Sequence, residues 1–249
     1  MPTKTDLPKL REEWNEIASV DALWAISSRP DRKFNKWQLE EFFATGRDQV
    51  ELVLNICEKV GRPPVRGSAL DFGCGVGRLT RHLAETFASV SAVDISEEMI
   101  ERARSLNSDL DNVQFTVNSR PDLSLLNQGT FDFACSIFVL QHMPAQSVAE
   151  TYLAEVIRVL KTGGVAVVQL PRALHPLRWL LARRTPYVLL RRIGLKPKFL
   201  YGTLGLHPMH MLAISPARVR DVATAGGGTV VGVMEMDKYD NLYVIAKGR

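Results

Sequence analysis

ALDFGCGVG, residues 69–77, reads as a short apolar strand that runs into three glycines at alternate positions and then a helix. Gly73 and Gly75 carry no Cβ, so the backbone there turns tightly and a ligand can approach it closely. Gly77 lets the following helix pack near the strand. In an open α/β sheet such a turn stands at the carboxyl ends of the strands, where ligands bind. The dinucleotide fingerprint GxGxxG fails, because its sixth position is Arg78 counted from Gly73 and Thr80 counted from Gly75. The spacing is D-x-G-x-G-x-G. Asp71 suits a ligand with a cationic amino-acid tail and fits a diphosphate badly.

Working outward, apolar strands are predicted at 90–94, 113–117, 131–136 and 165–170, with helices at 79–87, 97–106 and 145–160 between them. Ser96 reads as an N-cap, with Glu97 and Glu98 in the first turn, where the helix dipole favours acids. Strands alternating with helices imply parallel βαβ units. Ser215-Pro216 restarts the pattern after an interruption, and 230–236 and 242–246 form a closing hairpin whose last strand runs antiparallel. The expected fold is α/β: a Rossmann-like seven-stranded, mostly parallel sheet with an antiparallel last strand. Residues 1–62 form a helical N-terminal extension or lid. Residues 63–249 form the core domain, with 171–212 as a basic substrate-lid insertion after strand five.

LDFGCGVGRLT (70–80), AVDISEEMIERAR (92–104), FDFACSIFVLQHMP (131–144) and EVIRVLKTGGVAVV (155–168) together resemble successive blocks of the class I S-adenosylmethionine-dependent methyltransferases. The resemblance covers about residues 66–170. It implies S-adenosyl-L-methionine as cofactor, held by the turn Asp71, Gly73, Cys74, Gly75 and Gly77. Asp94, 17 residues after Gly77, would accept hydrogen bonds from the ribose diol. The competing reading of Asp94 is a cap for the next helix. Ile95 and Met99 would flank adenine, and Met99 reads equally well as core. No Asp directly follows the third strand, so Asn118, Ser119 or backbone must meet the adenine edge. Ser136, ending the fourth strand, joins the cofactor-facing set. Arg47 would pair with the cofactor carboxylate or start a solvated helix turn.

Methyl transfer from a sulfonium is an in-line displacement, so alignment supplies most of the acceleration. A base is needed only if the acceptor must lose a proton. The candidates are His142, just past the fourth strand, and His207 and His210, beyond the insertion. An unperturbed value near 6.5 suits base work. His82 is expected at the surface, and His175 falls in the insertion. No NPPY or DPPY follows the fourth strand, no Pro-Cys pair marks a cytosine nucleophile, and 136–144 has no acids, so no metal is expected.

Trp14, Trp24 and Trp37 with Phe34, Phe42 and Phe43 make an aromatic front that closes the pocket or simply packs on the sheet edge. Residues 156–220 hold twelve Lys and Arg and no Asp or Glu, although the whole chain of 249 residues is only +4. Leu177, Trp179, Leu180, Leu181, Tyr187, Leu189 and Ile193 lie among these cations. Such a segment suits a solvated lid, or an anionic membrane surface or greasy acceptor approached through 172–198. Nucleic acid is disfavoured, since aromatics for base stacking are sparse there. The charged N-terminus is no signal peptide, no apolar run reaches membrane-spanning length, and three dispersed cysteines suit a reducing compartment, so a cytoplasmic or peripheral location is expected. The expected activity is O-methylation of a small molecule, sugar or lipid-linked acceptor. The alternatives are methylation of nucleic acid or protein, or a non-catalytic cofactor-binding protein.

Overall fold

Short apolar strands joined by amphipathic helices bury a parallel sheet on both faces. That arrangement is found in the computed structural model, which describes residues 6–174 and 183–248. Strands β1 (Ser68–Phe72), β2 (Ser89–Asp94), β3 (Val113–Val117), β4 (Phe131–Ser136), β5 (Leu160–Pro171), β6 (Gly228–Glu235) and β7 (Asp240–Lys247) form one sheet in the order β3-β2-β1-β4-β5-β7-β6. β1 to β5 are parallel, and β7 is antiparallel to both of its neighbours. The order reverses between β1 and β4, so a crevice opens at their carboxyl ends.

One face of the sheet buries Leu70, Ala134, Val168 and Tyr243 under Leu153 and Ile157 of α5 (Gln146–Val159) and Val219 and Ala223 of α8 (Pro216–Ala225). The other buries Ala69, Phe133, Val167 and Val244 under Val53 and Leu54 of α2 (Leu39–Lys59) and Leu83 of α3 (Thr80–Thr86). Each such aliphatic side chain contributes about 2 kcal/mol when fully buried. Ser96 caps α4 (Glu97–Leu106) by accepting from the Met99 amide. β5 begins earlier than 165, because Leu160 pairs with Phe131 of β4 before the register shifts to Phe133 opposite Val165.

The chain ahead of the sheet is two helices rather than one run. α1 (Leu7–Ile26) bends at Asp21, whose φ/ψ of −161°/76° is not helical. The buried Asp21 carboxylate holds the bend by accepting from the Trp24 and Asn35 amides and the Tyr201 hydroxyl. α1 packs on α4 and on α7 (Pro197–Gly202), and α2 packs on α3. His82 is a correction: it is buried, because α2 covers α3 and the Phe43 carbonyl meets its Nε2 at 2.9 Å.

α6 (Arg184–Arg192) and α7 belong to the basic stretch. Its charge is partly answered by distant acids: Arg184 meets Glu13, Arg191 meets Glu16, Arg172 meets Glu235 and Arg218 meets Glu150. His175, Leu177, Arg178, Trp179, Leu180 and Leu181 lie outside the described residues. Among the described residues no helix is long and apolar enough to cross a membrane.

Candidate active site

The crevice at the switch point is a cavity of about 830 Å³. That lies toward the upper end of the roughly 300–1,000 Å³ typical of small-molecule sites, so it has room for a nucleoside and a second reactant. Gly73 and Gly75 form its floor, with Asp94, Ile95, Met99 and Asn118 at the ends of β2 and β3. The glycines are needed as glycines. Their φ values are +80° and +54°, and a Cβ would stand 2.3 Å from the Val139 side chain and 2.5 Å from Ile26 Cδ1.

Asp94 both lines the cavity and ties down the backbone beside it. Its Oδ2 accepts the Gly75 amide and its Oδ1 the Ser96 amide, both at 2.9 Å, which fixes the turn and the start of α4. Burial raises its affinity for a proton, against the pull of those amides. Asn118 is tied into its own loop, donating to the Asp122 carbonyl and accepting from the Arg120 amide.

Asp71, Cys74, Gly77, Ser119 and Ser136 are not among the residues that line the cavity. Asp71 lies under the turn, accepting the Thr80 hydroxyl at 2.6 Å and the Cys135 thiol at 3.8 Å, and burial pushes it up to about 6. Cys74 packs with Ala92, Ile100 and Phe115. Gly77 makes room for Asn107, whose amide would lie 2.6 Å from a Cβ there. Ser136 is fully buried, and its hydroxyl has no partner.

Arg47 also lies away from the cavity, exposed and 3.9 Å from Glu85. Arg78 does line it, a residue that the sequence pointed to only as a break in the dinucleotide motif. Arg78 is 6% exposed. Its Nη1 donates to the Thr45 carbonyl and its Nη2 to Gln49, while its Nε has no partner. Burial lowers it to about 10, still protonated at neutral pH. The signal that could have found it is Gly46 inside a helix: a Cβ there would lie 2.1 Å from the Arg78 carbonyl, so α2 presses against this residue.

Of the three histidines proposed as bases, His142 and His207 line the cavity and His210 does not; His210 Nε2 lies 3.6 Å from Glu13. The expectation of a value near 6.5 needs correcting. Burial pushes His142 down to about 4, and burial together with Arg183 and Lys33 does the same to His207. His142 Nδ1 donates to the His210 carbonyl at 2.7 Å, leaving Nε2 as the acceptor, and the Gln141 amide sits 3.1 Å from it. The cavity roof is apolar: Leu10, Trp14 and Trp24 come from α1, and Met143, Met209 and Met211 face them. Among the described residues no three His, Cys, Asp or Glu side chains converge on a metal position.

Residues 69–164 match the family described as methyltransferase domain. A ubiquinone biosynthesis O-methyltransferase of Xanthomonas axonopodis is 34% identical over 103 residues, 41% of this chain and 41% of that protein. Phosphoethanolamine N-methyltransferase 3 of Arabidopsis thaliana is 31% identical over 105 residues, covering 41% of this chain and 21% of the relative. The match thus spans well under half of either relative's length. Among solved structures, magnesium protoporphyrin IX methyltransferase of Synechocystis with bound S-adenosylhomocysteine aligns with a TM-score of 0.63 and 19% identity, over 97% of this chain and 99% of that one, a likeness of fold. The PH0226 protein of Pyrococcus horikoshii aligns with a TM-score of 0.60 and 25% identity over 83% of this chain and 91% of its own. Residues 69–164 thus match a methyltransferase domain, and the sheet order and fold are like those of S-adenosylmethionine-dependent methyltransferases of known structure.

Proposed function

We propose that the chain is an enzyme that moves the methyl group of S-adenosylmethionine onto an oxygen of a small, largely apolar acceptor. The observation that carries this reading is a single cavity with a bare glycine floor and a half-buried carboxylate, Asp94, at one end and an apolar roof at the other. When bound, the cofactor supplies an already activated methyl group, and the protein's task is alignment and exclusion of water. Asp94 receives the ribose hydroxyls. Ile95 and Met99 flank the adenine, with Asn118 at its edge. Arg78, with an unpaired buried Nε, takes the carboxylate of the amino-acid tail in place of Arg47. Asp71, Cys74, Gly77 and Ser136 shape the turn from behind, and Ser119 has no direct role in this reading. The described residues of 1–62 and 171–212 act as the cover over a core of 63–249. The free, buried cysteines suit a reducing compartment such as the cytoplasm.

The test is product formation. Protein incubated with methyl-labelled cofactor and fractionated small-molecule extract is expected to label an organic-soluble product and release S-adenosylhomocysteine. Cofactor binding without label transfer to any fraction would favour the non-catalytic alternative.

A second reading, contact with an anionic membrane, is supported by exposed Leu189, Ile193 and Phe199 beside Arg192, Lys196 and Lys198. Leu189, Arg192 and Ile193 share one helical face at i, i+3 and i+4. Sedimentation with acidic vesicles at low salt checks it, and a protein left in the supernatant would end it.

A further inference from the structure

The acceptor end of the cavity holds a cation without a match and no base fit to remove a proton. Arg183, just ahead of α6, lines the cavity. Its neighbour Arg184 meets Glu13, Arg191 meets Glu16, and the cavity's Arg29 meets Asp31 and Glu41. Arg183 meets no carboxylate among the described residues. Beside it, His207 has a buried Nδ1 with no hydrogen-bond partner. Lys33 lies nearby, 4.8 Å from the Trp24 ring. The charges at this end are therefore positive, inside walls of Trp24, Met209 and Met211.

Bases are lacking for specific reasons. Asp94, the sole carboxylate among the described lining residues, already accepts two amides and stands at the nucleoside end. His142 has both ring nitrogens occupied. The Tyr152 hydroxyl donates to the Arg120 carbonyl. A neutral alcohol would find only His207 to take its proton, and the neighbouring Arg183 and Lys33 disfavour the imidazolium that would form.

Building on the reading above, we propose that the acceptor presents an oxygen that is already ionised, a carboxylate on an apolar body, drawn in by Arg183 and methylated without a protein base. The carboxylate oxygen attacks the methyl carbon opposite sulfur. The O–C bond forms as the C–S bond breaks, and the bonding pair stays on sulfur. One negative and one positive charge become a neutral ester and a neutral thioether, and no proton moves.

Calorimetry on the full chain saturated with S-adenosylhomocysteine tests this, with 1-naphthoate and 1-naphthalenemethanol as probes. The carboxylate is expected to bind about tenfold tighter than the alcohol, the effect of one charge-assisted hydrogen bond. In Arg183→Met the preference is expected to fall below about threefold, with S-adenosylhomocysteine affinity unchanged. Failure of naphthoate to bind, equal binding of the alcohol, or a preference that survives in Arg183→Met overturns the proposal. Failure of S-adenosylhomocysteine itself to bind would instead defeat the cofactor reading, so the two outcomes are separate.

Discussion

The two ends of the cavity are built in opposite ways. The glycine-turn end draws Gly73, Gly75, Asp94, Met99 and Asn118 from 46 consecutive residues, each at or just past a strand end or in the first turn of a helix. The opposite end draws Trp14 and Trp24 from α1, His142 from after β4, and Arg183, His207 and Met209 from beyond β5. At the first end, local backbone geometry places the groups. At the second, placement depends on which distant segments pack together. An α/β scaffold can thus keep one binding half fixed while the other half varies with its covering segments.

The widest separation between the two ends is expected from the floor. Gly75→Val places a Cβ against Ile26 at φ +54°, and should weaken S-adenosylhomocysteine binding at least about 100-fold, about 3 kcal/mol, by calorimetry. Binding within threefold of wild type would mean the turn is not the floor of the site.

A pH experiment reads the other end. His142 is held neutral in the fold, with its value lowered from 6.5 to about 4 by burial. Protonation therefore favours the unfolded chain. The stabilisation is complete above pH 6.5 and is lost as the pH falls toward 4, by about 1.4 kcal/mol per pH unit. His207, partly open to solvent, adds less in the same direction. Urea unfolding at about pH 7.5 and about pH 5 measures the slope. His142→Gln should flatten it, and an unchanged slope would show that this imidazole is not buried neutral.

Asp94→Asn keeps the shape but weakens acceptance from the amides and the ribose, and about a tenfold loss of nucleoside affinity is expected. It should leave the acceptor-end preference for a carboxylate in place. The smallest effect concerns the clasp between the ends: Glu16→Gln removes the partner of Arg191 and Tyr187. It should cost under about 1 kcal/mol of global stability, as a half-exposed pair. Faster amide exchange in 184–202 would show the local loosening.

The same contrast explains what the sequence could disclose. The glycine turn, Asp94 and the Ser96 cap are local patterns, and each stands where its spacing places it. The sheet with its antiparallel last strand followed from strand-and-helix rhythm and a short hairpin. Arg47 was the cation singled out and Arg78 was passed over, because the sequence does not disclose which guanidinium is buried; the packing of Gly46 on Arg78 does. His82 looked exposed on a short helix, and became buried because α2 lies across it. The value of His142 depends on α1 and on the His210 carbonyl, 68 residues away. The charge count could not place the partners: the basic stretch finds its acids Glu13 and Glu16 some 170 residues earlier in the chain.

The most direct test is a pair of titrations of the wild-type chain, one with S-adenosylhomocysteine and one with NADH. One-to-one binding of S-adenosylhomocysteine, with no heat from NADH, is the predicted result. A chain that binds NADH, or that ignores the demethylated cofactor, would contradict the assignment of this cavity to an adenosyl sulfonium donor.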